Sequence, residues 1–307
     1  MSVTKAGPVR ARVAGGRWHF QHGPIDLILH AEGDLDAADR SIADCWDRFQ
    51  SVLPALVTEL AQLRQPAHEG PAVEGPVATR MLRACAPFAA ERFITPMAAV
   101  AGAVADELIE SFRRAGVTRA FINNGGDIAL HLTAAEKYRV GIWSKLERLH
   151  SPDGTGPDLD SIFVVGAEMP VRGIASSGWR GRSFSLGIAD SVTVLANSAA
   201  SADAAATMIA NAVNCDFAGI IRAPAEQLKD DTDLGSLLVT VDVPPLPPRS
   251  IAAALERGRA EADYWCDRGI IYAAALFLQG EVEVVLPNTT ASAPRTKPRV
   301  SFDRARA

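Results

Sequence analysis

Apolar positions along the chain change period repeatedly, and each change marks an element. Residues 18–20 and 25–30 read as strands joined by a tight turn at His22, Gly23 and Pro24. From Ala38 to Leu63, apolar residues including Ile42, Cys45, Phe49, Val52, Leu56 and Leu60 recur at spacings of three and four, which predicts one long helix kinked at Pro54. Thr95 followed by Pro96 predicts a second helix, opened by a capping hydroxyl and a proline at the first helical position. Val100, Val104, Leu108 and Phe112 make its buried stripe, Asp106, Glu107, Glu110, Arg113 and Arg114 its opposite face, and Gly116 its end. Strands are expected at 119–123, 127–132, 138–143, 161–166 and 192–196, then a helix at 199–213. Strands near 237–242 and 270–278 and a helix from 251 to about 267 complete the pattern. This mixed order predicts an α+β fold rather than a doubly wound parallel sheet.

Proline and glycine punctuate the chain at 64–76, 151–160 and 244–248. From Pro287 onward, three prolines and five basic residues with few apolar ones predict a disordered basic tail over 287–307. The remaining 1–286 reads as a single domain, since 48% apolar against 22% charged residues suffices for a sizeable core. The net charge of −5 gives no electrostatic reason to expect nucleic acid or an anionic membrane as partner. No apolar run approaches the ~18 residues of a membrane helix, and the basic N-terminal stretch lacks a following apolar segment, so a cytoplasmic protein is expected. Cys45, Cys85, Cys215 and Cys266 lie far apart without Cys-x-x-Cys spacing, and are expected to be reduced and mostly buried.

Three windows carry candidate chemistry. From Ser183 to Ile221 the only charged side chains are Asp190, Asp203 and Asp216. A segment without long charged side chains is normally buried, and buried carboxylates need a hydrogen bond, a cation or a metal. Asp203 and Thr207 stand one helical turn apart, with Asn211 and Asn214 beyond them. Hard oxygen donors of this kind suit Mg²⁺ together with nucleotide phosphates, or else form a polar stripe bonded to neighbouring backbone. The second window, Asn123-Asn124-Gly125-Gly126-Asp127, lies between two apolar runs; it reads first as a hairpin turn and second as a backbone that a ligand approaches closely. The third, Arg172 to Arg182, gathers Ser176, Ser177, Gly178, Arg180 and Arg182, either an anion cradle or a solvated loop. His19 and His22 read as packing or surface residues rather than metal ligands.

Taken in order, the run Ala98 to Asp106, the Asn-Asn-Gly-Gly-Asp turn, Ile174-Ala175-Ser176-Ser177-Gly178 and Ala202-Asp203-Ala204-Ala205-Ala206-Thr207 resemble the motifs of the ApbE-like flavin transferase superfamily. Further text, including His22-Gly23-Pro24-Ile25-Asp26-Leu27 and Ser185 to Asp190, is similar to one uncharacterised branch of it across residues 15 to 285. The resemblance implies a two-lobed α+β fold holding a flavin nucleotide, FAD or FMN. It implies Mg²⁺ held by Asp203, Thr207 and the carbonyls of Ala206 and Ala98. Nucleotide contacts are implied at Asn124, Gly125, Gly126, Asp127, Ser176, Ser177, Gly178, Arg180 and Arg182.

Members of the superfamily cleave FAD at its pyrophosphate and attach FMN to a Thr or Ser of an acceptor protein. Two departures stand out: the family's Lys-Gly pair is here Ala101-Gly102, and its His-x-x-Asp-Pro segment aligns with Gly187 to Ser191, losing the histidine. A positioned base contributes about 10² to 10⁴ in rate, and Asp190 is the residue nearest in sequence to replace it. The expectation is therefore a Mg²⁺-dependent FAD-binding protein, active in FMN transfer or FAD cleavage. The alternative is a flavin-binding or carrier protein without turnover; a scaffold that merely keeps the fold leaves Asp203 and Thr207 unexplained.

Overall fold

The computed structural model describes residues 7–142 and 161–287. Nine strands form one antiparallel sheet. In spatial order they are β1 (Val9–Val13), β2 (Arg17–His22), β3 (Ile25–Gly33), β4 (Val117–Asn124), β5 (Asp127–Leu132), β8 (Gly173–Ser177), β9 (Ser191–Ala196), β12 (Ala273–Leu278) and β13 (Glu281–Val285). Two strands omitted from that series, β6 (Lys137–Ile142) and β7 (Ser161–Gly166), pair with each other. Their Tyr138, Val140, Phe163 and Val165 pack with Leu130, Ile174 and Phe277 on one face of the sheet. A further hairpin joins β10 (Ile221–Pro224) and β11 (Leu238–Asp242).

Helices cover the opposite face. The helices are α1 (Leu35–Thr58), α2 (Leu60–Leu63), α3 (Pro76–Ala89), α4 (Val100–Ile109), α5 (Ala199–Ala212), the short α6 (Ala225–Leu228), which packs on β10 instead, and α7 (Pro248–Asp267). α1 lies on β3, α4 on β4 and β5, α5 on β8 and β9, and α7 on β12 and β13, while α3 packs on α4 and α5. Strands covered on both faces need apolar residues at every position. β9 (SVTVLA) and β12 (AAALFL) are accordingly buried throughout, whereas the β3 pattern alternates over its first six residues.

α5 sits closest to its neighbours, and small residues are the reason. Ala199, Ala200, Ala202, Ala204, Ala205, Ala206 and Ala210 are all buried. Cβ atoms added at Gly102 and Gly173 would lie 2.3 and 2.0 Å from the carbonyl oxygens of Ala199 and Ser198, and one at Gly187 would lie 2.0 Å from that of Ala210. Both ends of α5 therefore rest on backbone that tolerates no side chain. The N-terminus is held further: the Asp106 carboxylate accepts the amides of Ala199 (2.9 Å) and Ala200 (2.8 Å), while the Ser198 hydroxyl accepts that of Ser201 (3.1 Å).

Several expectations are corrected. The long helix breaks at Glu59, where the amide bonds back to Leu56, while Pro54 is accommodated within α1. Thr95 opens a 3₁₀ turn (Pro96–Ala99) before α4, and its hydroxyl donates to Asp233 instead of capping. Asp106 is buried rather than on an exposed face, because it serves α5. Asp216 is exposed, so the uncharged window does not bury all three aspartates. α3, β1, β8, β10, α6 and β13 were not anticipated, and Pro76, read as part of a break, starts α3 at its first turn. Residues 151–160 and the tail from 288 lie outside the described residues. Among the described residues no helix is long and apolar enough to cross a membrane; three cysteines are buried, Cys266 is partly so, and all four are free.

Asp106→Ala removes two hydrogen bonds to a buried carboxylate at a helix N-terminus, and is expected to destabilise the fold by about 3 kcal/mol. Urea unfolding measures this, and an unchanged midpoint would contradict the capping role.

Candidate functional site

At one end of the sheet, β4 turns into β5 through Gly125 and Gly126, with φ of +66° and +116°. The Asn123 side chain accepts the Gly126 amide (2.8 Å), so the turn is locked locally. Side chains alternate across a strand, and Ile122 faces the helices while Ile128 faces β6 and β7. Asn124 and Asp127, paired across the ladder, therefore both point to the helix side. Asn124 donates to the Ala101 carbonyl at the start of α4 (3.1 Å). Asp127 is buried and accepts the Ser176 amide (3.3 Å).

Asp203, half-buried in the first turns of α5, reaches the same place. It accepts the Gly102 amide (3.0 Å) and is also bonded to the amide of Ala101, both in the first turn of α4. Burial and then repulsion from Asp127 raise its pKa well above the ordinary carboxylate range, against the pull of those two amides. Burial likewise pushes Asp127 up to about 7, opposed by the Ser176 amide and the Arg182 guanidinium. Two carboxyls with raised proton affinity thus share one low-dielectric corner.

The Arg182 guanidinium lies against the hairpin: a Cβ on Gly125 would fall 1.4 Å from its Nη2. Thr207, one turn beyond Asp203, makes no side-chain hydrogen bond among the described residues. A helical threonine ordinarily bonds the carbonyl of the preceding turn, so this hydroxyl remains available. On the far side, Thr95 donates to Asp233 of the segment between α6 and β11. The Cys85 thiol donates to the Thr95 carbonyl (3.4 Å), and burial with Asp203 and Asp233 nearby pushes its pKa up, leaving an inert thiol.

These donors are hard oxygens, suited to Mg²⁺, which takes one or two carboxylates and completes its shell with water and phosphate oxygens. Among the described residues no group of three or more His, Cys, Asp or Glu side chains is gathered for a metal. A cation here would draw on Asp203, Asp127, the Thr207 hydroxyl and main-chain carbonyls. Of the two carbonyls expected to join them, Ala98 lies half-buried in the 3₁₀ turn that packs on α5, and Ala206 immediately precedes Thr207 in α5.

Other expected site residues have different surroundings. Ser176 contributes its amide, but its hydroxyl is on the opposite face of the sheet, bonded to Thr193 (2.8 Å). Ser177 is on the helix side, and Gly178 runs so close to the Asp190 carbonyl that a Cβ would sit 2.5 Å from it. Arg180 Nε bonds one oxygen of buried Asp190 (3.0 Å) and the Gln279 amide bonds the other (2.6 Å), which makes Asp190 an anchor for the β9 and β12 ends. Arg172 donates to the carbonyls of Met169, Val171 and Ala167. Asn211 and Asn214 fasten the 185–187 segment through Leu186. His19 pairs with Asp26 (2.8 Å). Sequence reasoning missed Asp233, whose segment carries no recognisable motif, and the reach of Asp106. Two surface cavities, of about 480 Å³ beside Glu59 and about 230 Å³ beside Glu136, lie away from this cluster.

The chain is thus an α+β protein whose antiparallel sheet is backed by helices, and the match of its sequence across nearly all of that fold gives its class as ApbE-like. The sequence pattern described as "AbpE bacteria" matches residues 10–284, and the chain belongs to that family. It is 29% identical over 220 residues to a UPF0280 protein of Methanothrix thermoacetophila, covering 70% of this chain and 84% of that one. With a UPF0280 protein of Methanosphaerula palustris it shares 39% identity over 122 residues, 39% of this chain and 47% of that one. Solved structures similar to it include a point mutant of the flavin transferase ApbE from Vibrio cholerae, at 12% identity and a TM-score of 0.44 over 92% of this chain and 98% of that one. The ApbE protein of Thermotoga maritima matches at 12% identity and a TM-score of 0.39, over 90% of this chain and 96% of that one.

Because the carboxyls of Asp127 and Asp203 are raised, the folded protein holds protons that the unfolded chain has released above about pH 4. Stability should therefore fall as pH rises from about 4 to about 7, by on the order of 4 kcal/mol for a group raised as far as Asp127. Asp127→Asn is expected to flatten that slope and to stabilise the protein at pH 8 in the presence of a chelator. Denaturant melts at pH 5 and pH 8 measure it; a slope equal to that of the unsubstituted protein would show that Asp127 is not a source.

Proposed function

We propose that this protein binds a flavin dinucleotide, FAD, together with Mg²⁺ in the corner between the starts of α4 and α5, and that it does not transfer FMN by the histidine-assisted route. The observation that carries the first half is the pairing of Asp127 with Asp203 beside the Arg182 guanidinium. A carboxyl pair that repels itself favours a divalent cation, and the adjacent arginine favours the anionic groups such a cation brings with it. Asp203 and Thr207 would hold the cation, with Asp127 beside them and the Ala98 and Ala206 carbonyls on hand; Arg182 and the Gly125-Gly126 turn would meet the phosphates. Bound there, Mg²⁺ supplies charge neutralisation at the pyrophosphate.

The second half rests on Gly187. This position aligns with the superfamily's histidine, and its contact with the Ala210 carbonyl leaves no room for any side chain. Asp190 has both oxygens engaged by Arg180 and Gln279, so a ready substitute base is lacking at that end of the segment. Binding without efficient transfer to an acceptor protein is the reading these residues support.

A ligand that needs both components raises the unfolding temperature more with FAD and Mg²⁺ together than the sum of either alone. Asp203→Asn should abolish that extra increment, and its persistence would place the cation elsewhere. Arg182→Ala should weaken FAD affinity about tenfold through loss of a charge-assisted contact. Arg180→Ala should lower stability instead, by leaving Asp190 without its cation. Long incubation with FAD, Mg²⁺ and an acceptor peptide should leave FAD intact; rapid AMP release would overturn the non-transferring half and leave the binding half standing.

A further inference from the structure

The segment between Ser176 and Arg182 is fixed to the carboxyl corner at both ends, through the Ser176 amide on Asp127 and the Arg182 guanidinium on Gly125. Trp179 stands midway. It is three residues from each, so its Cα lies within about 11 Å of both.

Everything about this tryptophan is fixed except one group. Its amide bonds the Ala189 carbonyl (3.0 Å), and its ring packs against the helix-side core. The Arg180 guanidinium lies 4.9 Å from the ring centroid while Asp190 holds that arginine in place. Its indole Nε1–H is buried and has no protein acceptor among the described residues. Buried donors are nearly always bonded, and a tryptophan is favoured over phenylalanine where its N–H finds a partner. Phenylalanine would fill most of this space without burying a donor.

We propose that Trp179 is a ligand-reading residue of the flavin site: its indole N–H donates to an acceptor atom, a ring carbonyl or ring nitrogen, of the bound dinucleotide. The assignment rests on the flavin-binding reading above and adds a specific contact to it. Arg180 and Asp190 act as positioning residues that hold the indole, while Arg182 meets the phosphates from the same loop.

Trp179→Phe keeps the aromatic ring and deletes the donor. Titrated with FAD in the presence of Mg²⁺, the variant should bind about tenfold more weakly than the full-length unsubstituted protein, and its ligand-free unfolding temperature should be equal or higher. A purely packing role would move stability and leave affinity alone. In the unsubstituted protein, five indole N–H resonances are expected from its five tryptophans. The one missing in Trp179→Phe should shift downfield on saturation with FAD, and separate titrations with FMN and ADP then show which half of the dinucleotide carries the acceptor. Equal FAD affinity with an unmoved resonance would overturn the assignment while sparing the flavin reading. Absence of FAD binding by the unsubstituted protein would overturn both.

Discussion

The fold depends on an exchange of carboxylates between two helix starts. Asp106, in α4, accepts the first two amides of α5, and Asp203, in α5, accepts amides in the first turn of α4. Each helix leaves its first N–H groups without internal partners and carries a partial positive charge there. Each of these two helices therefore meets that need with a side chain of the other, and neither contact survives unless the backbones nearly touch. Gly102 and Gly173 make the approach possible, and the alanines of α5 carry it along the sheet.

The same approach creates the chemistry. Bringing α5 against β5 and β8 places Asp203 near Asp127, and no lysine or arginine of α5 is there to neutralise them. Two amides and Arg182 offset part of the charge, while burial keeps both proton affinities raised. Packing thus leaves an acidic corner, its charge only partly offset within the fold, at Asp203. Its bond to Gly102 and a role toward a metal are compatible, because a carboxylate offers about four acceptor positions.

Many of the strands were legible because they are apolar or alternating runs closed by turn residues: β5 and β9 of the main sheet, and β7 and β11 of the two smaller pairs, fall within a residue of expectation. β8 was hidden because its Gly173 and serines read as loop, although Gly173 is there for the approach of Ser198. α3 was hidden by Pro76 and Pro87, one at its first turn and the other inside it. In the site, Asp203 stood out because its surroundings lack cations, and the Asn-Asn-Gly-Gly-Asp turn stood out through its glycines. What sequence spacing could not convey is which side of a strand a residue faces once bonded. The Ser176 hydroxyl, two residues from Ile174, is thereby directed away from the corner.

Two arginines two residues apart divide into different tasks for an electrostatic reason. Asp190 is buried, and an unpaired buried carboxylate is strongly unfavourable. Arg180 lies beside it and stacks on Trp179, so its charge is committed within the fold. Arg182 is exposed, held over a glycine turn that presents no side chain, and faces the field of Asp127. Its charge stays at the surface, where it offsets part of that of Asp127. The close approach at Gly187 is a packing constraint: the contact that secures the end of α5 also removes the space for any side chain there. This loop therefore anchors the fold through Asp190, and at Gly187 the contact that holds α5 in place admits no side chain.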